Sequence, residues 1–193
     1  MAMLEARPTY RLLQTYSLLS AVLRKVPVAR SSSSGEDGGG GGGGAAAAAG
    51  QALFSTVMPA ELNKKELTKG VLSGSPLLQA ATMNLMATIL DRASLVAAAA
   101  AATIAGSPPS PLGVVEMKAL LRQRMPDLQT LLGLRDKIGV GVGDAAGKVP
   151  GGQHVGRAVV LRWRVLSLLD RYARVIPASV AAARFDFLKL LPR

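Results

Sequence analysis

Apolar residues recur along this chain at helical intervals, separated by short breaks and two low-complexity stretches. From Pro8 to Val26 they fall at Leu12, Leu13, Tyr16, Leu19, Val22 and Leu23, spacing that predicts an amphipathic helix with Pro8 tolerated in its first turn and a stop before Pro27. Asn63-Lys64-Lys65-Glu66 has the spacing of a capping box and, followed by Leu67, Val71 and Leu72, predicts a short helix closing near Gly74. Ser75-Pro76 then places a hydroxyl cap before a proline, a strong helix start. Leu78, Ala81, Leu85, Ile89 and Val96 carry that helix toward Ala105, where Gly106-Ser107-Pro108-Pro109 ends it.

Leu112 to Met125 predicts a further helix, with Val115, Ala119 and Leu120 inward and Lys118, Arg122 and Arg124 outward. Pro126-Asp127 breaks it, and Leu128, Leu131 and Leu132 are inward candidates of the next, ending about Ile138. The amphipathic signal is clearest over Arg157 to Ile176, where Val159, Trp163, Leu166, Leu169, Ala173 and Ile176 make an apolar face and Arg157, Arg164, Arg171 and Arg174 a basic stripe. Trp163 and Tyr172 read as core, whereas Arg162 falls within the apolar face and must snorkel, pair or meet a partner. Beyond Pro177, Ser179 can cap a last helix. Phe185, Phe187, Leu188 and Leu191 then form a dense apolar end, a candidate packing interface.

These elements give an all-α fold in five parts. Residues 1–30 form an N-terminal helix, 31–52 a disordered Ser/Gly/Ala linker, 53–138 a helical region, 139–156 a flexible Gly-rich loop and 157–193 a C-terminal helical pair. Aromatics are only 4% of the 193 residues, so a core must be built from Leu, Val and Ala with few large anchors.

Charge narrows the setting more than the mechanism. Lys and Arg number 23 against 12 Asp and Glu, a formal net charge of +11, which suits phosphate-rich surroundings. The apolar run from Ala93 to Ala105 falls short of the about 20 residues needed to span a bilayer and reads as a buried helix end. The Arg-rich, acid-poor N-terminus also has the composition of an organellar targeting helix.

Candidate chemistry is sparse. The chain has no cysteine and one histidine, His154, set in a Gly-rich stretch without catalytic neighbours. Thiolate metal sites are excluded, and no acid–base pair stands out. Gly141-Val142-Gly143-Asp144-Ala145-Ala146 fits a dinucleotide-binding spacing and Gly147-Lys148 the end of a phosphate loop. A helix precedes them, however, and Val149 stands where Ser or Thr would hold magnesium. No enzyme activity, cofactor, metal or small-molecule substrate is expected.

Three stretches carry a resemblance: Ser75-Pro76-Leu77-Leu78 leading to Leu85 and Ile89-Leu90; Arg124-Met125-Pro126-Asp127-Leu128-Gln129-Thr130-Leu131-Leu132; and Leu168-Leu169 with Tyr172, Pro177 and Arg184 to Leu191. Together they resemble the N-terminal region of the nucleolar pre-ribosomal-associated protein family over roughly Leu53 to Leu191, in patches. The resemblance implies an irregular helical-repeat fold, an armadillo/HEAT-like α-solenoid, as a fragment of a longer scaffold. It further implies a nucleolar role in 60S ribosomal subunit assembly, with pre-ribosomal RNA and assembly proteins as partners. Arg157, Arg164, Arg171 and Arg174 are the candidate RNA or partner contacts. The alternative is a small basic structural subunit of a mitochondrial or plastid complex, imported through the N-terminal helix.

Overall fold

The computed structural model describes residues 6–26, 42–102, 111–145 and 153–183. Among them are eight helices and no strand: α1 (Ala6–Lys25), α2 (Gly42–Val57), α3 (Lys64–Val71), α4 (Pro76–Ala102), α5 (Pro111–Arg124), α6 (Leu128–Ala145), α7 (Gln153–Val175) and α8 (Pro177–Ala183). The expected all-α class holds.

Local signals explain most boundaries. Asn63 has extended backbone, and its side chain accepts a hydrogen bond from the Glu66 N–H at 2.9 Å, satisfying an otherwise orphan donor at the start of α3. At the start of α4, the Gln79 N–H donates to the Ser75 carbonyl at 3.0 Å, so the helix begins at Pro76, where a missing N–H costs nothing. Pro126 separates α5 from α6, and the Tyr172 hydroxyl donates to its carbonyl at 3.0 Å, pinning the break from the opposite side.

Two low-complexity expectations change. The linker expected over 31–52 is helical from Gly42 onward, and the loop expected over 139–156 is helical to Ala145 and again from Gln153; residues 31–41 and 146–152 lie outside the described set. Alanine has the highest helix propensity, and the run Ala45–Ala49 carries α2. The smallness of Ala49 and Gly50 then lets α2 approach α5. A Cβ on Gly50 would sit 2.5 Å from the Glu116 Cβ, and one on Gly113 would sit 3.3 Å from the Ala49 Cβ.

Helix α4 runs through the middle. It packs against α1, α2, α3, α5 and α7, and Leu78, Met83, Leu85, Met86, Ile89, Leu90, Ala93 and Val96 are all buried. A helix apolar around most of its circumference belongs inside a core. Residues 76–101 are long and apolar enough to cross a membrane by length and composition alone, with a mean hydropathy of 1.2; Ala93 and Val96 are buried, but the helix end expected to be buried is largely exposed, at Leu95, Ala98, Ala99 and Ala101. Around α4 the core is aliphatic and rich in methionine, with Met58, Met83, Met86, Met117 and Met125 all buried; the unbranched thioether fills irregular gaps between crossing helices.

The largest helix–helix contacts join elements three places apart along the chain. Helix α1 lies on α4, α4 on α7 and α2 on α5, three pairs separated by three places, whereas α3 packs chiefly on α4 and α6 chiefly on α7. Helices α6 and α8 also pack on α7 and on each other.

Candidate partner-docking surface

The basic stripe foreseen on α7 does not stand free. Arg164 donates to the Ala80 carbonyl at 3.3 Å, and the Arg171 Nε lies 2.7 Å from the Asp91 carboxylate, so both reach across to α4. Arg171 also donates to the Ser167 carbonyl at 3.1 Å. Arg174 pairs with Asp170 one turn earlier at 2.9 Å and is otherwise exposed. The side chain of Arg157 lies outside the described residues. The stripe is therefore a polar seam between α4 and α7, ending in a local ion pair. Partly exposed pairs of this kind contribute about 0.2–1 kcal/mol each and chiefly fix how the two helices register.

The apolar face of α7 also differs from expectation. Leu161, Val165, Leu168, Leu169, Tyr172, Val175 and Ile176 are the buried set, whereas Val159, Val160 and Trp163 are exposed, Trp163 at 67%. Both Leu161-Val165-Leu168-Tyr172 and Val159-Trp163-Leu166 have helical spacing, so periodicity alone does not choose between them. The core takes the first, which packs toward α4 and α6 and brings the Tyr172 hydroxyl to the Pro126 carbonyl. Arg162, expected amid the apolar face, is exposed. The helix thus carries two apolar stripes, one packed and one open. Leu77, at the start of α4, is likewise exposed, and Pro76, Leu77, Ala80, Val160 and Leu161 line a groove of about 640 Å³ between the two helices.

The other candidate interface, Phe185, Phe187, Leu188 and Leu191, lies outside the described residues. Among the inward candidates of α5 and α6, Leu128, Leu131 and Leu132 are buried, but on α5 the buried face is Gly113, Met117, Leu121 and Met125, with Val115 and Ala119 exposed. Arg124, expected outward, folds back to donate to the Ala60 and Leu62 carbonyls at 3.1 and 3.2 Å, closing the bend before α3.

The polar centre that sequence reasoning missed is Arg92. Only 6% exposed, it donates from Nε to the Thr56 carbonyl at 2.6 Å and from one terminal nitrogen to the Leu23 and Val26 carbonyls at 2.5 and 2.6 Å. These carbonyls belong to the C-terminal ends of α1 and α2, where backbone acceptors lack helical partners and the helix dipole is negative. One guanidinium therefore caps two helices and ties both to α4. The signal in the sequence was a single arginine inside the inward register of a long apolar helix.

Two phenols show the dryness of the interior. Burial pushes the Tyr172 hydroxyl far above the ordinary tyrosine range, and the charge of Asp127 adds to the shift. Tyr16, whose hydroxyl donates to the Glu66 carbonyl at 3.3 Å, is raised by burial and then by Glu66. Among the described residues no group of three His, Cys, Asp or Glu gathers as a metal site, and the side chain of His154 lies outside them. Comparison of the chain with protein-family models, with curated proteins and with solved structures finds no match.

Proposed function

We propose that the chain is a non-catalytic helical scaffold, built as an armadillo/HEAT-like stack, that docks a further helical layer along the open stripe of α7. The observation that supports this reading is that the most extensive helix packing joins elements three places apart, α1 on α4 on α7 and α2 on α5. Repetition of a three-helix unit produces that order, and in such stacks each unit buries an apolar face only against its neighbours. In this arrangement α4 is the filled position, covered by α1 on one side and by α7 on another. Helix α7 repeats the position of α4 but leaves Val159, Val160 and Trp163 uncovered. An exposed apolar stripe rimmed by charge marks an interaction surface.

The setting proposed for the scaffold is early assembly of the large ribosomal subunit in the nucleolus, as the resemblance to the nucleolar pre-ribosomal-associated protein family implies. The net charge of +11 supports contact with pre-ribosomal RNA. The cations available for it are exposed ones such as Arg162 and, once released from its exposed pair with Asp170, Arg174, rather than Arg164 and Arg171, which hold α4. What weighs against import through the first helix is how firmly α1 is built in. Tyr16 is buried, Arg24 donates to Asn84 at 2.8 Å, and Arg92 caps the end of the helix. Removing α1 would strip those partners from α4. Localisation of the full chain with a C-terminal tag tests the setting: a nucleolar signal with α1 retained is expected, and a mitochondrial or plastid signal with α1 cleaved would overturn it.

A further inference from the structure

A second surface, away from the α7 stripe, has the chemistry of a peptide groove. Helix α5, the start of α6 and helix α8 enclose an open groove of about 790 Å³, within the range of roughly 300–1,000 Å³ typical of ligand-holding clefts. Val115, Leu128 and Ile176 give it an apolar floor. Lys118 and Arg122 stand one turn apart along its α5 wall. The one carboxylate lining it, Asp127, is already paired with Lys64 at 2.7 Å. Among the described residues neither Lys118 nor Arg122 has a hydrogen-bond or ion-pair partner.

We infer that this groove binds an amphipathic helical segment of a partner protein, with apolar residues on one face and Asp or Glu along its flank. Charge and polarity together select that occupant. Two like charges one turn apart on a helix repel one another, and an acidic flank removes that repulsion. Phosphate backbones satisfy the cations but leave the apolar floor uncovered, so RNA fits less well. The chain's own segment after Ala183 carries Arg184, Lys189 and Arg193 against Asp186 alone, and so has the sign of the groove. A second copy brings another net +11.

Helix-in-groove recognition places anchors at i, i+3 or i+4, and i+7, which defines the probe. A fluorescein-labelled helical 16-mer with Leu at those positions and Glu beside them is titrated against the full chain by fluorescence anisotropy. Its controls are a scramble of the same composition, a version with Lys in place of Glu, and an oligouridine of equal length.

The Glu probe is expected to bind at least about tenfold more tightly than the scramble and the oligouridine. The double variant Lys118→Glu/Arg122→Glu is expected to lose about tenfold for the Glu probe and gain as much for the Lys probe. Val115→Ser, at an exposed position that does not support the core, is expected to weaken the Glu probe several-fold. Equal binding of probe and scramble, tighter binding of the oligouridine, no binding of the Glu probe, or indifference to the charge reversal overturns the proposal. Two further outcomes also overturn it by naming another occupant: a large gain in probe affinity in Phe185→Asp/Phe187→Asp, which assigns the groove to the chain's own end, or a dimer that Val115→Ser dissociates. Because the surface is separate from the α7 stripe, its failure leaves the scaffold reading standing.

Discussion

Replacing Arg92 with methionine removes the guanidinium while keeping an unbranched apolar stem in the core. The native side chain makes three charge-assisted bonds, to the carbonyls of Leu23, Val26 and Thr56. At about 1.5–3 kcal/mol for each bond involving a charged group, simple addition gives roughly 5–9 kcal/mol. That sum overstates the net effect, because a buried cation also bears a desolvation cost of several kcal/mol that methionine avoids. The abandoned carbonyls lie at helix ends and regain water by fraying, at the expense of the packing of α1 and α2. We expect a net loss of about 3 kcal/mol, a large share of the roughly 5–15 kcal/mol that holds a domain folded. Lysine keeps the charge but lacks the planar fork that spans two helices, so Arg92→Lys should lose about half as much. Urea unfolding of the full chain followed by far-ultraviolet circular dichroism gives the stability change, and amide exchange locates it. Exchange should accelerate first in the last turns of α1 and α2. A midpoint shift equivalent to under about 0.5 kcal/mol for Arg92→Met, or a loss without that local acceleration, would refute the capping argument.

Other substitutions probe the packing and the buried phenols. Gly50→Ala should destabilise by about 1–3 kcal/mol despite its gain in helix propensity, since its Cβ meets Glu116 at 2.5 Å and forces α2 away from α5; thermal melting checks this. Gly133→Ala, on the exposed side of α6 with nothing within 4 Å of the new Cβ, should instead stabilise by up to about 1 kcal/mol in the same assay. The raised folded-state pKa of Tyr172 means that the native state holds its proton longer than the unfolded chain does. Stability should therefore be intact below about pH 10 and fall above it, by up to about 1.4 kcal/mol per pH unit for this residue. Tyr172→Phe should flatten that alkaline decline in urea titrations at several pH values, while costing about 1 kcal/mol at neutral pH for the bond to Pro126.

The sequence made the helices legible where local chemistry is decisive. Asn63 capping α3, Pro76 opening α4 and Pro126 separating α5 from α6 all act within one turn. Low-complexity segments were harder, because an alanine run reads equally as linker or helix until a neighbour is known. Helix α2 forms where Gly50 and Ala49 let α5 come close, a contact between positions far apart in sequence. Faces failed for the same reason. On α7 two stripes share the helical period, and which one is packed depends on its neighbours α4 and α6, which lie elsewhere in the sequence. The arginines of the expected contact stripe were visible as charges, but their acceptors, Ala80 and Asp91, lie on another helix. Replacing Arg171 by glutamate would place it against Asp91 and damage the seam, so loss of RNA after that change would not identify an RNA contact. Arg92 was hidden similarly, since its partners are backbone carbonyls and leave no mark in the sequence.

The most direct test of the scaffold reading uses the open stripe itself. The tagged full chain and its Val160→Asp/Trp163→Asp variant are expressed in nucleated cells, and their lysates are separated on sucrose gradients with pre-ribosomal RNA followed in each fraction. Both positions are exposed, so the variant should keep its fold and its circular dichroism. The account predicts that the parent chain sediments with large-subunit precursors and that the variant moves to the top of the gradient. A parent chain that stays at the top, or a folded variant that sediments with the precursors as well as the parent does, would contradict it.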